Sequence, residues 1–233
     1  MDKNAFECVP FLAGVIGHPI SHSKSPKLHN YWLSKYNING HYIPLSITTE
    51  KLKSSIKSLI ELGFKGVNIT IPHKTNVLSF ADSVTDRAAL IGAANTLYFS
   101  KSGTVHADNT DGYGFIQNII DKIPDYDFYD KTAIIYGAGG SARAIASALI
   151  SNGIKEVGIT NRTRSKAEII SESLGAKIST VDWRAAPETV AAVDIIINAT
   201  SMGMVGQPEF SQPISRAKKT ALVVDIVYNP LVT

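Results

Sequence analysis

Short apolar runs alternate with longer amphipathic stretches in the first half of the chain. The apolar runs predict strands and the longer patterns predict helices, with strands at residues 11–16, 41–45 and 66–71 and helices at residues 27–36 and 52–62. Ser25 followed by Pro26 predicts a helix that begins with a serine N-cap and a proline at its first position. Residues 94–98 and 104–107 predict a small hairpin. Alternating strands and helices favour an α/β fold with parallel strands.

The second half repeats this alternation after a helical pattern and a turn-rich stretch. The predicted elements are a helix at residues 112–123, a strand at 131–136, a helix at 142–151 and further buried strands at 157–160, 194–198 and 222–227. The turn-rich stretch at residues 124–127 separates the two halves. We therefore expect two domains, residues 1–112 and residues 113–233.

The composition narrows the possible functions. With 233 residues, of which 44% are hydrophobic, the chain can form two α/β domains of about 100 residues each. The net charge of +3 is spread without a basic cluster, so we expect no nucleic-acid partner. No apolar run approaches the ~20 residues that span a bilayer, and the start of the chain does not resemble a signal peptide. Cys8 is the only cysteine, which indicates the reducing cytoplasm.

A glycine-rich segment, GAGGSA at residues 137–142, directly follows the predicted strand at 131–136 and opens a helix. In the G-x-G-x-x-A pattern, Gly137 makes the tight turn, Gly139 lets the backbone approach a pyrophosphate, and Ala142 allows close packing of helix on strand. The helix N-terminus then faces the phosphates with unpaired N–H groups. The alternative is a plain turn, but the strand–loop–helix setting favours dinucleotide binding.

The next predicted strand indicates which dinucleotide is bound. An NAD site usually carries an acidic residue at this strand tip to hold the ribose hydroxyl. Here the tip is basic, with Arg162, Arg164 and Lys166 and no carboxylate. These cations suit the 2′-phosphate of NADP. The alternative is a solvated helix start that happens to be basic.

Lys74 and Asp111 are the candidate catalytic residues. Reduction of a ketone by hydride needs a proton donor at the developing alkoxide, and a lysine with a neighbouring carboxylate suits that role. Neither residue is specific alone, because surface lysines are usually solvated and aspartates are common in turns. His18 and His22 have a spacing seen in metal sites, but Pro19 breaks any helix between them, so we expect no metal site.

Several motifs follow one another in a fixed order along the chain. They are SHSKSP at residues 21–26, NITIPHK at 68–74, GAANT at 92–96, DNTDG at 108–112, GAGGSA at 137–142, NRT at 161–163 and NATSMG at 198–203. In this combination the chain resembles the shikimate dehydrogenase family, from Gly14 to its last residue. The resemblance implies an N-terminal α/β substrate-binding lobe, a Rossmann-type doubly wound NADP-binding lobe and an active site in the cleft between them. It also implies reduction of 3-dehydroshikimate to shikimate in aromatic amino acid biosynthesis.

The resemblance also implies roles for individual residues. Ser23 and Ser25 would bind the substrate carboxylate, with Tyr228 close to it. The residues that would hold the hydroxyls and the reacting centre are Asn68, Thr70, Lys74, Asn95 and Asp111, with Lys74 as the proton-transfer residue. The residues that would contact the cofactor are Asp86, Gly137, Ala138, Gly139, Gly140, Ser141, Asn161, Arg162, Thr163, Arg164, Ser165, Lys166 and Ile226.

Two alternatives to this function remain open. One is a quinate/shikimate dehydrogenase that uses NAD, and the other is an inert protein that only binds shikimate or NADP. Members of the family usually continue beyond Asn229 and Pro230 with helices that pack on the first lobe. We therefore expect this chain to turn over more slowly than a version extended by those helices, and to expose apolar surface on the first lobe. A monomer or a homodimer is expected.

Overall fold

The computed structural model describes residues 10–230 and divides into two compact units. The first unit extends to Thr110 and the second begins at Asp111. The sequence pattern alone places this boundary after Gly112, which lies in the first turn of the helix that opens the second unit. Within residues 10–230, no helix has the length and apolar character needed to cross a membrane.

The first unit is built on a six-stranded sheet. Its elements are β1 (Phe11–Gly17), α1 (Ser25–Lys35), β2 (Gly40–Ser46), α2 (Leu52–Glu61), β3 (Gly66–Ile69), β4 (Ser83–Val84), α3 (Asp86–Ile91), β5 (Thr96–Phe99) and β6 (Val105–Asp108). The strand order is β2-β1-β3-β5-β6-β4. The sheet is mixed, because β2, β1 and β3 are parallel whereas β5 runs antiparallel to both β3 and β6.

The two faces of the first sheet are covered unequally. On one face, α2 buries Leu52, Ile56 and Leu59 against Val67 and other strand residues. The spacing of those three residues places them on one side of the helix, which is why this segment forms an amphipathic helix. The other face carries a smaller cluster around Val15, Ile20 and Tyr42.

An apolar groove lies on the less covered face of the first unit. Trp32 and Tyr36 of α1, Tyr42 of β2 and Tyr98 of β5 are among the residues that line it. Trp32, Tyr36 and Tyr98 are exposed, although aromatic side chains of this size usually bury much of their surface. The first unit therefore presents a connected apolar surface.

The second unit is built on a five-stranded sheet in which all strands are parallel. Its elements are α4 (Asp111–Lys122), β7 (Thr132–Tyr136), α5 (Gly140–Ser151), β8 (Glu156–Thr160), α6 (Arg164–Leu174), β9 (Ile178–Val181), α7 (Ala186–Thr189), β10 (Ile195–Asn198) and β11 (Leu222–Asp225). The strand order is β11-β10-β7-β8-β9. This order reverses between β7 and β10, as in the doubly wound folds that bind dinucleotides.

Both faces of the second sheet are buried. Ile135 and Ile197 pack on one side with residues of α4, α5 and α6, whereas Ile134 and Ile196 pack on the other side with residues of α7. Helices on both faces bury every residue of a central strand, so such strands have nearly continuous apolar sequences. The predicted α/β fold and the doubly wound second domain are confirmed.

Two local predictions were wrong. α1 begins at Ser25 rather than after it, because Lys24 already has helical dihedral angles and is the N-cap residue. The Ser25 N–H instead donates to Ser23 Oγ at 3.3 Å. β11 is not fully buried, because it lies at the sheet edge and Val223 is 51% exposed. The sequence pattern also did not predict the short strands β4 and β9 or the helices α3 and α7.

Candidate functional site

Four loops of the first unit lie at the same edge of its sheet, the one formed by the carboxyl ends of β1 and β3. The parallel strands β1 and β3 both end there, and the antiparallel register pairs Asn68 with Thr96 and Thr96 with Asp108. The start of β5 and the end of β6 therefore lie at this edge too. It receives the loops that carry these predicted residues: Ser23 and Ser25 after β1, Thr70 and Lys74 after β3, and Asn95 before β5. The turn after β6 leads directly to Asp111.

The backbone of residues 93–95 connects the Lys74 loop to the turn after β6. The Ala94 N–H donates to the Lys74 carbonyl at 2.7 Å, and the Asn95 N–H donates to the Asp108 carbonyl at 3.0 Å. The buried Asn109 side chain donates from Nδ2 to the Ala93 carbonyl at 2.8 Å. Lys74, Asn95 and residues 108–110 thus form one hydrogen-bonded assembly.

The Asn95 carboxamide has a defined orientation. Its Oδ1 accepts from the Thr110 N–H at 3.0 Å and from Thr96 Oγ1 at 2.9 Å, and its Nδ2 donates to Thr110 Oγ1 at 3.0 Å. The backbone donor identifies the amide oxygen without ambiguity. Asn95 is therefore held in place by Thr110. The next residue, Asp111, begins α4 of the second unit.

Asn68 is held by a tyrosine that the sequence analysis missed. The Tyr42 hydroxyl donates to Asn68 Oδ1 at 2.6 Å, and Asn68 Nδ2 approaches the Asn95 carbonyl at 3.3 Å and Thr96 Oγ1 at 3.2 Å. Burial raises the pKa of Tyr42, so its hydroxyl remains a donor at neutral pH. Tyr42 reaches Asn68 across β1, a contact for which strand alternation in the sequence gives no signal.

The serine loop after β1 lies against the Lys74 loop. The His18 N–H donates to the Ile71 carbonyl at 3.0 Å, and the Thr70 N–H donates to the Ile16 carbonyl at 2.9 Å. A Cβ at Gly17 would lie 2.6 Å from the Thr70 methyl group, so any larger residue there would force a neighbouring group to shift. Ser23 precedes α1 and Ser25 is its first residue, and the N-terminus of a helix favours an anion such as a carboxylate.

A buried histidine anchors the loop that carries Lys74. His73 is fully buried, and its Nε2–H donates to the Ile47 carbonyl at 2.7 Å. The His73 N–H also donates to the Thr70 carbonyl at 2.9 Å, which closes the turn before Lys74. Lys74 itself is half-buried. His73 has no function that the sequence alone indicates, and the structure shows this supporting contact.

In the second unit, the glycine-rich loop joins β7 to α5 at the point where the strand order reverses. Gly137 has a φ of +109°, and a Cβ there would lie 2.7 Å from the Ala199 carbonyl oxygen, so only glycine fits. Gly139 precedes the N-terminus of α5, and a Cβ there would meet no atom within 4 Å. Ala142 is fully buried in the core beneath. The loop leaves open space in front of a helix N-terminus, which suits a pyrophosphate.

The remaining loop residues, Ala138, Gly140 and Ser141, span the turn into α5. Asp86 belongs to the first unit. It is exposed in the first turn of α3, where Thr85 caps the helix by accepting the Ala88 N–H at 3.3 Å. Every predicted cofactor residue other than Asp86 belongs to the second unit.

The predicted basic residues lie where β8 meets α6. Thr163 is the N-cap residue of α6, and Asn161 Nδ2 donates to its carbonyl at 2.9 Å. Arg164 is already paired, with Nε 2.8 Å from Glu168 Oε1 and Nη1 3.8 Å from Asp182 Oδ2. Arg162, Ser165 and Lys166 are exposed. Within residues 10–230, neither Arg162 nor Lys166 forms an ion pair.

The last predicted site residues follow β11. The Ile226 N–H donates to the Asn198 carbonyl at 3.1 Å, and Tyr228 is half-exposed. Asn198 is buried, and its Nδ2 donates to Asp225 Oδ1 at 3.1 Å while its Oδ1 accepts from Thr200 Oγ1 at 2.7 Å. Asn198 thereby joins the loops after β10 and β11. Asn198 begins the NATSMG motif at residues 198–203, but the sequence alone indicates no function for it.

Family models match both units of the chain. The shikimate dehydrogenase substrate binding domain matches residues 15–97, and the shikimate / quinate 5-dehydrogenase model matches residues 118–230. A curated relative, the NADP(+) shikimate dehydrogenase of Ruegeria sp. (strain TM1040), is 47% identical over 222 residues. The match covers 95% of this chain and 80% of the relative.

Solved structures share the fold. Shikimate 5-dehydrogenase from Thermus thermophilus, in complex with NADP(H) and shikimate, is 30% identical with a TM-score of 0.82, over 94% of this chain and 80% of that one. Quinate dehydrogenase from Corynebacterium glutamicum, in complex with NAD, is 28% identical with a TM-score of 0.85, over 95% of this chain and 81% of that one. The fold alone is therefore compatible with either substrate and either cofactor.

Proposed function

The chain belongs to the shikimate dehydrogenase family, and we propose that it catalyses the NADP-dependent reduction of 3-dehydroshikimate to shikimate and the reverse oxidation. This reaction belongs to the biosynthesis of aromatic amino acids. The observation that carries the proposal is the hydrogen-bonded assembly of Lys74, Asn95 and residues 108–110 at one edge of the first sheet. A polyhydroxylated ring needs many directional donors and acceptors, and this edge supplies them.

In the proposed reduction, Lys74 is the proton donor. NADPH, when bound, supplies a hydride to the carbonyl carbon of the substrate. The carbonyl oxygen then gains the electron pair of the broken π bond and takes a proton from the Lys74 ammonium group. Asp111 is the proposed partner that orients this ammonium group. In the oxidation, neutral Lys74 accepts the hydroxyl proton.

The other substrate contacts follow from the loops at this edge. Ser23 and Ser25, at the N-terminus of α1, bind the carboxylate of the substrate. Asn95, Asn68 and Thr70 hold its hydroxyl groups. Asn68 and Asn95 already have protein partners that orient their amides, which keeps the site preorganised before the ligand arrives. Tyr228 contributes its hydroxyl near the carboxylate.

The residues present in the second unit fit NADP. The open space at Gly139 and the N-terminus of α5 suit the pyrophosphate. Arg162, Arg164 and Lys166 follow the end of β8, where an NAD site would carry an acidic residue. Ile226 and Asp86 complete the proposed contacts with the cofactor. The single cysteine suits the reducing cytoplasm. We propose that the active protein is a monomer or a homodimer.

A quinate/shikimate dehydrogenase that uses NAD is the second candidate, favoured by the fold shared with the Corynebacterium glutamicum enzyme. Initial rates with shikimate or quinate, each with NADP or NAD, distinguish the two. We expect the highest kcat/KM with shikimate and NADP. A highest value with quinate and NAD would establish the second candidate instead. No oxidation in any combination, together with calorimetric binding of shikimate or NADP, would identify an inert binding protein.

A further inference from the structure

The carboxylate of Asp108, at the end of β6, accepts hydrogen bonds from four donor groups. Arg87 binds it in bidentate fashion, with Nε donating to Oδ1 at 2.6 Å and Nη2 donating to Oδ2. Thr85 Oγ1 donates to Oδ1 at 2.7 Å, and the Asn109 N–H donates to the same oxygen at 2.8 Å. Bidentate arginine–carboxylate pairs fix geometry more firmly than single contacts. Neither Asp108 nor Arg87 has a function in the reaction described above.

These contacts join the start of α3 to the turn that leads to Asp111. Thr85 and Arg87 flank the first residue of α3, whereas Asp108 and Asn109 begin the turn. The Asp108 carbonyl also accepts the Asn95 N–H at 3.0 Å. Asp108 therefore binds two backbone N–H groups. Its carbonyl accepts from Asn95, and its carboxylate accepts from Asn109 in the turn.

We propose that Asp108 and Arg87 form a clasp that positions Asn95 and the turn through Thr110 for substrate binding and catalysis. The clasp rests on the proposed function, because it acts through residues assigned to the substrate. Asp108 and Arg87 are positioning residues, since their contacts are with protein groups and not with the reacting atoms. Misplacement of reacting groups by about 1 Å can cost ~10² in rate, so loss of the clasp has a kinetic effect.

An isolated surface ion pair contributes little to stability, typically ~0–1 kcal/mol. The Asp108–Arg87 pair differs in geometry, because it is bidentate and shares the carboxylate with a hydroxyl and a backbone N–H. Arg87, with the smaller contributions of Thr85 and Asn109, holds the pKa of Asp108 at about 2. The carboxylate therefore stays ionised throughout any practical assay range.

Asp194 provides a matched control. Its carboxylate accepts from Lys218 Nζ at 2.8 Å and from the Thr132 N–H and Oγ1, both at 3.0 Å, and its pKa is also held at about 2. It precedes β10, so it lies at the amino-terminal edge of the second sheet, opposite the edge that carries the glycine-rich loop. Asp194→Asn removes a comparable charged contact without touching any proposed ligand residue.

The experiment compares the full chain with Asp108→Asn, Arg87→Gln, the double variant, Arg87→Lys and Asp194→Asn. Kinetics with shikimate and NADP, melting temperature and ¹⁵N NMR spectra are recorded for each. We expect Asp108→Asn and Arg87→Gln each to lower kcat/KM for shikimate by about tenfold or more, with a smaller change in the KM for NADP. The kcat/KM of the double variant should fall no further than that of the weaker single variant, because both substitutions remove the same Asp108–Arg87 interaction.

Arg87→Lys should recover part of the loss, because it keeps the charge but not the bidentate geometry. Asp194→Asn should lower the melting temperature without lowering kcat/KM. Additive losses in the double variant, or an Asp108→Asn variant as active as the parent, would overturn the clasp. A parent without activity on shikimate would contradict the proposed function, and the NMR spectra then test the clasp alone. The amide signals of Asn95 and Thr110 should shift in Asp108→Asn but not in Asp194→Asn, and unchanged signals would overturn it.

Discussion

Replacing Arg162 by alanine should narrow the preference of this protein for NADP over NAD. Arg162 is exposed at the tip of β8, next to the N-cap of α6, and forms no ion pair within residues 10–230. Its guanidinium group is therefore available to a 2′-phosphate. Arg164, two residues later, is paired with Glu168 and Asp182, so a phosphate must compete with those carboxylates for it. The two arginines form a matched pair with different expected effects.

The expected size of the effect follows from the exposure of Arg162. A hydrogen bond to a charged group contributes ~1.5–3 kcal/mol, and solvent exposure favours the lower end of that range. Since ~1.4 kcal/mol corresponds to a factor of ten, Arg162→Ala should weaken NADP binding about tenfold. NAD lacks the phosphate, so its affinity should change little. Arg164→Ala should weaken NADP binding by a smaller factor.

Isothermal titration calorimetry with both cofactors measures these changes directly. The parent should bind NADP more tightly than NAD, and this difference should shrink as salt rises, because the Debye length falls from ~30 Å at 0.01 M to ~3 Å at 1 M. Equal affinities of the parent for the two cofactors would refute the reasoning. A larger loss in Arg164→Ala than in Arg162→Ala would show that the phosphate displaces the Arg164 ion pairs and that the assignment to Arg162 is wrong.

Three further predictions concern catalysis, the loop and stability. Lys74→Ala should lower kcat by ~10²–10⁴, with a much smaller change in the calorimetric affinity for shikimate, because a proton donor acts mainly in the transition state. Gly137→Ala should lower the melting temperature through strain of ~1–3 kcal/mol, whereas Gly139→Ala should keep the fold and weaken NADP binding, as measured by thermal denaturation and calorimetry. Asp194→Asn should lower the melting temperature at pH 7 by about 2–4 °C, because the Lys218 contact depresses the pKa of Asp194 in the folded state. A carboxyl group whose pKa is lowered by folding stabilises the fold at pH values above its pKa in the unfolded chain. The difference in stability between the parent and Asp194→Asn should therefore shrink as the pH falls from about 4 towards 2.

For each of these three predictions, a specific result would contradict it. An unchanged kcat in Lys74→Ala would remove that residue from proton transfer. A Gly137→Ala variant as stable as the parent would show that the backbone relaxes around the added methyl group, and full NADP affinity in Gly139→Ala would place the pyrophosphate elsewhere. A stability difference for Asp194→Asn that persists at pH 2 would show that the contact does not depend on the charge of Asp194.

The sequence predicted the features that depend on local pattern. The buried strand over Thr132–Tyr136 has a continuous apolar sequence because both faces of the second sheet are covered, and Gly137 follows it where a positive φ is required. The motifs that identify the family are likewise local segments. These features could be predicted because each depends on neighbours within a few residues.

Contacts between distant segments could not be predicted in this way. Arg87 and Asp108 meet only because β4 and β6 pair, and β4 is too short to give a periodic signal. Tyr42 reaches Asn68 across an intervening strand, which requires the strand order to be known. Asn198 joins two loops through Asp225 for the same reason. The candidate ligands could be predicted from motifs, whereas the residues that position them required the structure.

The central claim is that this protein transfers a hydride between NADP and the shikimate ring. It is tested most directly by incubating the chain with 3-dehydroshikimate and NADPH that carries deuterium at both C4 positions of the nicotinamide, followed by mass spectrometry of the product. We expect shikimate that carries a single deuterium, and far less product from a parallel reaction with Lys74→Ala over the same time. Unlabelled shikimate, or no shikimate in the presence of both ligands, would contradict the account.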